Sequence, residues 1–150
     1  MRLALFEPDI PQNAGTLMRL CACLGVPLDI IEPCGFLLTD KNLKRAGMDY
    51  LDRLDMTRHA SWSAFRAARQ EARLVLMTTK AETSFLDFNF AKGDILIAGR
   101  ESKGVPDDVH AACPARILIP MVPGVRSLNV AVAASMALSE GLRQTGLFPS

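Results

Sequence analysis

Three segments of this chain hold the residues whose types and spacing suit chemistry. The first is Asn13-Ala14-Gly15, with Arg19 four residues further on. The second is Ile97-Ala98-Gly99-Arg100-Glu101-Ser102-Lys103-Gly104-Val105-Pro106. The third runs from Ile119 to Ala131 and reads IPMVPGVRSLNVA. Each combines glycine, which lets a backbone come close to a bound group, with amide, carboxylate, hydroxyl or guanidinium side chains. Several common chemistries are excluded. The loop after the first apolar run reads EPDIPQNAG and lacks the G-x-G-x-x-G of a dinucleotide site. Gly99 and Gly104 have P-loop spacing, but Val105 and Pro106 stand where Lys and Ser/Thr would be needed, which removes phosphoryl transfer. His59 and His110 lie outside the glycine loops and read as surface or packing residues, so no Ser/His/Asp or Cys/His arrangement arises. Cys21, Cys23, Cys34 and Cys113 form no C-x-x-C pair, so no metal site is expected. They read as reduced, buried thiols of a cytoplasmic protein.

The elements that position these segments alternate. Apolar runs at Leu3 to Glu7, Leu28 to Glu32, Arg73 to Thr78, Asp94 to Gly99 and Ala115 to Ile119 read as strands, with a weaker one at Leu54 to Arg58. Leu17, Leu20, Cys21 and Leu24 share one face of a helix starting near Gly15 and ended by Gly25. Further helices are expected from Asp40 to Gly47, from Trp62 to about Glu71 behind the N-cap Ser61, from Asp107 to Cys113 after Pro106, and from Ser127 to about Thr145. This order predicts an α/β fold with a mostly parallel sheet and helices on both faces. The three segments then fall at the carboxyl ends of strands, where such sheets bind ligands.

The 150 residues suit one domain, 1–150, and the 49% hydrophobic content suits a packed core. The longest uncharged stretch, Ser127 to Ser139, is too short for a membrane span, and no secretory signal is expected. Net charge is +1, unevenly spread. Lys41, Lys44, Arg45, Arg53, Arg58, Arg66, Arg69 and Arg73 face only Asp49, Asp52, Asp55 and Glu71, a balance of +4 in that stretch and −3 elsewhere. Two readings stay open: a nucleic-acid surface, or a solvated helix face.

The ordered set of segments resembles the SPOUT class of RNA 2′-O-methyltransferases. The class motif N-x-G-x-x-x-R is matched by Asn13, Gly15 and Arg19, G-x-E-x-x-G by Gly99, Glu101 and Gly104, and a proline-rich turn with S-x-N by Ser127 and Asn129. The stretches IIEPCGF, KRAGMDY, MTTK and IPMVPGVRSLN are similar to the minimal members, which methylate the wobble nucleotide, cytidine or uridine 34, of tRNA anticodons. Two features depart from that subgroup: Arg100 where relatives often have Pro, and Met136 and Ser139 in the region where some carry an aromatic.

The resemblance implies a SPOUT fold with a C-terminal trefoil knot and a homodimer with its site completed across the interface. It implies S-adenosyl-L-methionine as methyl donor, held by Met77, Thr78, Gly99, Glu101, Ile119, Ser127 and Leu128, with no metal. Arg19, Glu101, Asn13 and Asn129 become the catalytic candidates, and tRNA the partner, with Lys44, Arg45, Arg58 and Arg126 as candidate RNA contacts. A guanidinium is a poor base at neutral pH, so Arg19 is expected to orient the hydroxyl and adjacent phosphate. Two roles are open to Glu101: base, or fixing the loop. Two other functions remain at this stage: methylation of a different tRNA or rRNA ribose, and a non-catalytic RNA-binding module of the same fold. Val130, Ala134, Ala137 and Gly141 form a small-residue face on the last helix, expected to pack against a second copy.

Overall fold

The computed structural model describes residues 1–39, 41, 42 and 50–150. Along the chain lie β1 (Arg2–Phe6), α1 (Pro11–Leu24), β2 (Leu28–Ile31), a 3-10 turn (Leu51–Arg53), β3 (Met56–His59) and α2 (Trp62–Ala68). β4 (Leu74–Met77), β5 (Ile95–Ala98), α3 (Asp107–Ala112), β6 (Ala115–Ile117) and α4 (Val130–Thr145) follow. The helix expected over Asp40 to Gly47 falls mostly outside the described residues, as do Lys44 and Arg45.

The strands form one sheet in the order β3-β2-β1-β5-β4-β6, and every pair is parallel. Alternation along β1 divides the core. Leu3 and Leu5 join α1 and α4 through Leu17, Met18, Ala134 and Leu138. Ala4 and Phe6 point to the other face, where Phe65 of α2 and Val109 of α3 cover them. Helices therefore lie on both faces, as both-sided apolar strands require. The order reverses at β1, whose neighbours are β2 and β5. That reversal opens a crevice at the strand carboxyl ends.

Several boundaries differ from those expected. α1 begins at Pro11, not near Gly15, because proline at the first helical position has φ preset and no N–H left unpaired. α4 begins at Val130 rather than Ser127, since the Asn129 side chain caps it by accepting from Ala131 N (2.9 Å) and Val132 N (3.2 Å). β6 stops at Ile117, because Leu118 turns to pair with the β4–β5 connection: its N–H donates to Thr83 O, and Phe85 N–H donates to Leu118 O. α2 ends at Ala68, and Arg69 just beyond it reaches the fully buried Asp29 of β2.

The small-residue face of α4 is also corrected. Ala134, Ala137 and Gly141 are buried inside this chain, and a Cβ on Gly141 would clash with the Met1 side chain. The outward side of α4 instead presents Val132 and Met136, 50% and 39% exposed. No helix among the described residues is long and apolar enough to cross a membrane.

Candidate active site

The loop after β5 is shaped by its glycines. Arg100 N–H donates to Gly104 O (3.0 Å) and Gly104 N–H returns a bond to Arg100 O (2.9 Å), which closes the loop on itself. Gly104 has φ +60°, a conformation glycine adopts without steric cost. A Cβ on Gly99 would sit 3.0 Å from the Gly104 carbonyl carbon, so a side chain there would press the Gly104 backbone away. The Arg100 side chain reinforces the closure: its Nε donates to Gly104 O at 3.0 Å, and its Cζ lies 5.5 Å above the Phe6 ring.

This loop is bonded to both other segments. Asn13, in the first turn of α1, donates through Nδ2 to Glu101 Oε2 at 2.9 Å. Asn129 Nδ2 donates to Asn13 Oδ1 at 2.9 Å. The same Glu101 oxygen accepts from Val130 N, the first residue of α4, at 3.1 Å. A carboxylate at a helix N-terminus satisfies an unpaired N–H and complements the helix dipole. Of the two roles open to Glu101, this geometry favours fixing the loop, because Oε2 is already engaged by two donors.

Asp9, which sequence reasoning missed, adds a second tie. Its carboxylate accepts from Glu101 N (3.1 Å) and from the Ser102 hydroxyl. Partial burial acts to raise the Asp9 pKa, but the hydrogen bonds from Ser102 and the surrounding backbone outweigh it, and the carboxyl is held below its ordinary value. Gly35 packs on this residue so closely that a Cβ there would meet Asp9 Cα at 2.9 Å. Asp9 thus joins the loops that follow β1, β2 and β5. The available signal was an acid between two prolines directly after a strand.

Beside this network lies a cavity of about 330 Å³ between the ends of β4 and β5 and the segment leading into α4. Met77, Thr78, Gly99, Glu101, Ile119, Ser127 and Leu128, the residues expected around a cofactor, all line it. Its size falls in the range of about 300–1,000 Å³ common for small ligands. His110, read from sequence as a surface or packing residue, lines it too, and its Nε2 is buried without a protein partner among the described residues. Apolar walls (Met77, Ile119, Met121), close backbone approach at Gly99 and an unpaired polar atom suit a molecule that joins a flat ring to polar groups. No group of three or more His, Cys, Asp or Glu suited to a metal occurs among the described residues.

Other candidates lie apart. Arg19 sits in the third turn of α1, exposed, with its Cζ 4.9 Å from the centre of the Tyr50 ring, and it does not line the cavity. The helix starting four residues before Gly15 accounts for this, since each residue adds about 1.5 Å along the axis. Arg126 is exposed in the loop before α4. Arg58 is engaged, ion-paired with Glu32 and donating to Leu38 O at 3.2 Å. Cys21 and Cys113 are buried, and burial pushes their thiols up to about 12 and about 11, whereas Cys23, expected to be buried, is exposed.

Fold and cavity together define an α/β domain of the kind that holds a small molecule at its strand carboxyl ends. More specifically, the model of the SpoU rRNA Methylase family matches residues 1–139, and the chain belongs to that family. A protein of Beijerinckia indica subsp. indica named tRNA (cytidine(34)-2′-O)-methyltransferase is 59% identical over 146 residues, 96% of this chain and 91% of that protein. A solved structure described as giving insights into the 2-OH methylation of C/U34 on tRNA superimposes with a TM-score of 0.89 at 44% identity, over 95% of this chain and 94% of that one. The SpoU methyltransferase AviRb from Streptomyces viridochromogenes, in complex with the cofactor AdoMet, gives 0.81 at 27% identity, over 96% of this chain and 60% of its own.

Proposed function

We propose that this chain is an S-adenosylmethionine-dependent methyltransferase acting on the ribose 2′-OH of cytidine or uridine 34 in tRNA. One observation carries the reading: Asn13, Glu101 and Asn129 are bonded together beside the cavity in a chain 59% identical to a tRNA (cytidine(34)-2′-O)-methyltransferase. Bound S-adenosylmethionine supplies an electrophilic methyl group on a sulfonium. Gly99, Ile119, Ser127 and Leu128 hold it, with Met77 and Thr78 at the end of β4. Glu101, anchored by Asn13 and by Val130 N–H, keeps the loop in register rather than acting as a base. Arg19 orients the 2′-oxygen and the adjacent phosphate, and that phosphate accepts the proton as the methyl group is transferred.

One domain over 1–150 working as a cytoplasmic homodimer belongs to the same reading. Support for the dimer comes from Val132 and Met136, exposed on α4, and from Arg19, which lies apart from the cavity of its own chain and suits a site completed by a partner. The proposed trefoil knot is supported by two-sided contact of the β4–β5 connection with the C-terminal part. Phe85 and Thr83 bond Leu118, while Gln144 bonds Phe88 O and Phe90 N.

The test is incubation with labelled S-adenosylmethionine and total tRNA, followed by nucleoside mapping. Label on the 2′-oxygen of nucleotide 34 is expected. Label on another tRNA ribose, or on rRNA supplied in a parallel incubation, transfers the activity to a different substrate, and RNA binding with no transfer makes the chain a binding module.

A further inference from the structure

Resting on the function proposed above, we propose that Tyr50 is a positioning residue that holds Arg19 ready for the acceptor nucleotide. Arg19 occupies the outward face of α1 with Gln12, Thr16 and Cys23, all exposed. A long cation on such a face samples many rotamers and loses that freedom when it orders on a substrate. Here its guanidinium carbon lies over the ring of the only tyrosine of the chain, 4.9 Å from the ring centre.

The ring has a firm base. Tyr50 O accepts from Arg53 N (3.0 Å) and Leu51 O from Leu54 N (3.1 Å), closing the 3-10 turn. Leu51 and Leu54 pack on the core that includes α1, so the turn and the helix carrying Arg19 are fixed to one another.

The kind of partner matters more than its presence. Arg69 and Arg73 are held by carboxylates, each giving Nε and one terminal nitrogen to an aspartate. Those arginines have neutralised charge and spent donors. A ring face attracts the guanidinium plane and leaves its edge, with the N–H donors, directed elsewhere. The ring contact therefore orders Arg19 while keeping both its charge and its fork for phosphate and 2′-oxygen.

The experiment is single-turnover methylation of tRNA by the full chain carrying Tyr50→Leu, Tyr50→Phe, Arg19→Ala, or Arg19→Ala with Tyr50→Leu. Cofactor affinity, thermal midpoint and the NMR signal of the Arg19 Nε–H are measured in parallel. Tyr50→Leu is expected to slow transfer about tenfold, the scale of a cation–π contact. Cofactor affinity and thermal midpoint stay unchanged, and the ring-shifted Arg19 signal moves to the free-arginine position. Tyr50→Phe keeps both rate and signal. In the Arg19→Ala background the leucine adds no further loss, since Tyr50 acts only through Arg19.

The proposal is overturned if Tyr50→Leu turns over normally. It is also overturned if Tyr50→Phe is as slow as Tyr50→Leu, or if the loss persists undiminished without Arg19. Failure of the unmutated chain to methylate nucleotide 34 would count against the proposed function. The Arg19 signal would then still decide whether Tyr50 orders Arg19.

Discussion

At the carboxyl ends of β1 and β5, polar side chains turn toward one another. Asn13, Glu101 and Asn129 form one bonded unit, with Asp9 tying it down from behind. Along the described part of the basic stretch, three arginines pair instead with separate acids. Arg69 goes to Asp29, Arg73 to Asp94 and Arg58 to Glu32. Asp29 and Asp94 are buried, and an unpaired carboxylate there would cost several kcal/mol. The first region thus keeps polar groups together at a cavity, and the second uses cations to neutralise the ends of strands. A surplus of positive residues in sequence is therefore a poor guide to a positive surface, because a paired arginine adds little to the field a phosphate meets.

The comparison is broken most severely at Arg19, whose charge is held by a ring rather than a carboxylate. Arg19→Ala should lower single-turnover transfer about 10²- to 10³-fold, roughly 2–4 kcal/mol of transition-state stabilisation, with cofactor affinity unchanged by calorimetry. Arg19→Lys should recover little, since a point charge cannot reproduce the planar fork. Mixed dimers of Arg19→Ala and Glu101→Ala chains sharpen the point. A site completed across the interface should regain about a quarter of normal activity, because about half the dimers are hybrids with one intact site each. A site built within one chain would regain none.

Next in size is Gly141→Leu. The glycine is buried against Met1 and Phe90, so the larger side chain should destabilise the fold by about 1–3 kcal/mol in urea unfolding. Met136→Glu on the outward face should leave the fold intact and shift light scattering from dimer toward monomer. The opposite pattern would return the small-residue face to the interface.

Smaller effects are expected in the salt dependence of tRNA binding. Arg58→Ala should leave the salt dependence of tRNA binding unchanged, since its charge is already matched by Glu32. Lys44→Ala and Arg45→Ala are expected to flatten that dependence by about one unit each. An equal effect of all three would contradict the neutralisation of Arg58 by Glu32.

The smallest effect is in pH. The Asp9 carboxyl is depressed in the folded chain, so its stabilisation is complete above its usual value near about 4 and is lost as pH falls through the lowered one. Cofactor affinity, followed by calorimetry, should be flat above that value and weaken below it. Asp9→Asn should remove the acid-side decline.

What the sequence made legible follows the same division. Glycine spacing reports backbone geometry, so Gly99 and Gly104 located their loop, and the apolar alternation of β1 located both faces of the sheet. Asn13 and Asn129 followed from their motifs, though not the bond between them, which spans 116 positions. Asp9 was missed because its partners are a distant backbone N–H and a hydroxyl. Helix starts were misjudged where a proline and a capping asparagine, rather than the apolar period, set the boundary. The face of α4 was misassigned because small residues suit packing within a chain as well as between chains. The basic stretch left two readings open because linear charge carries no information about which acids lie buried nearby.

The central claim is that the acceptor is the 2′-oxygen of nucleotide 34. Its most direct test is methyl transfer from labelled S-adenosylmethionine to three synthetic tRNAs, each with a single 2′-deoxy substitution at position 33, 34 or 35. Full transfer to the first and third and none to the second is expected. Transfer to the RNA lacking the 2′-oxygen at position 34 would contradict it.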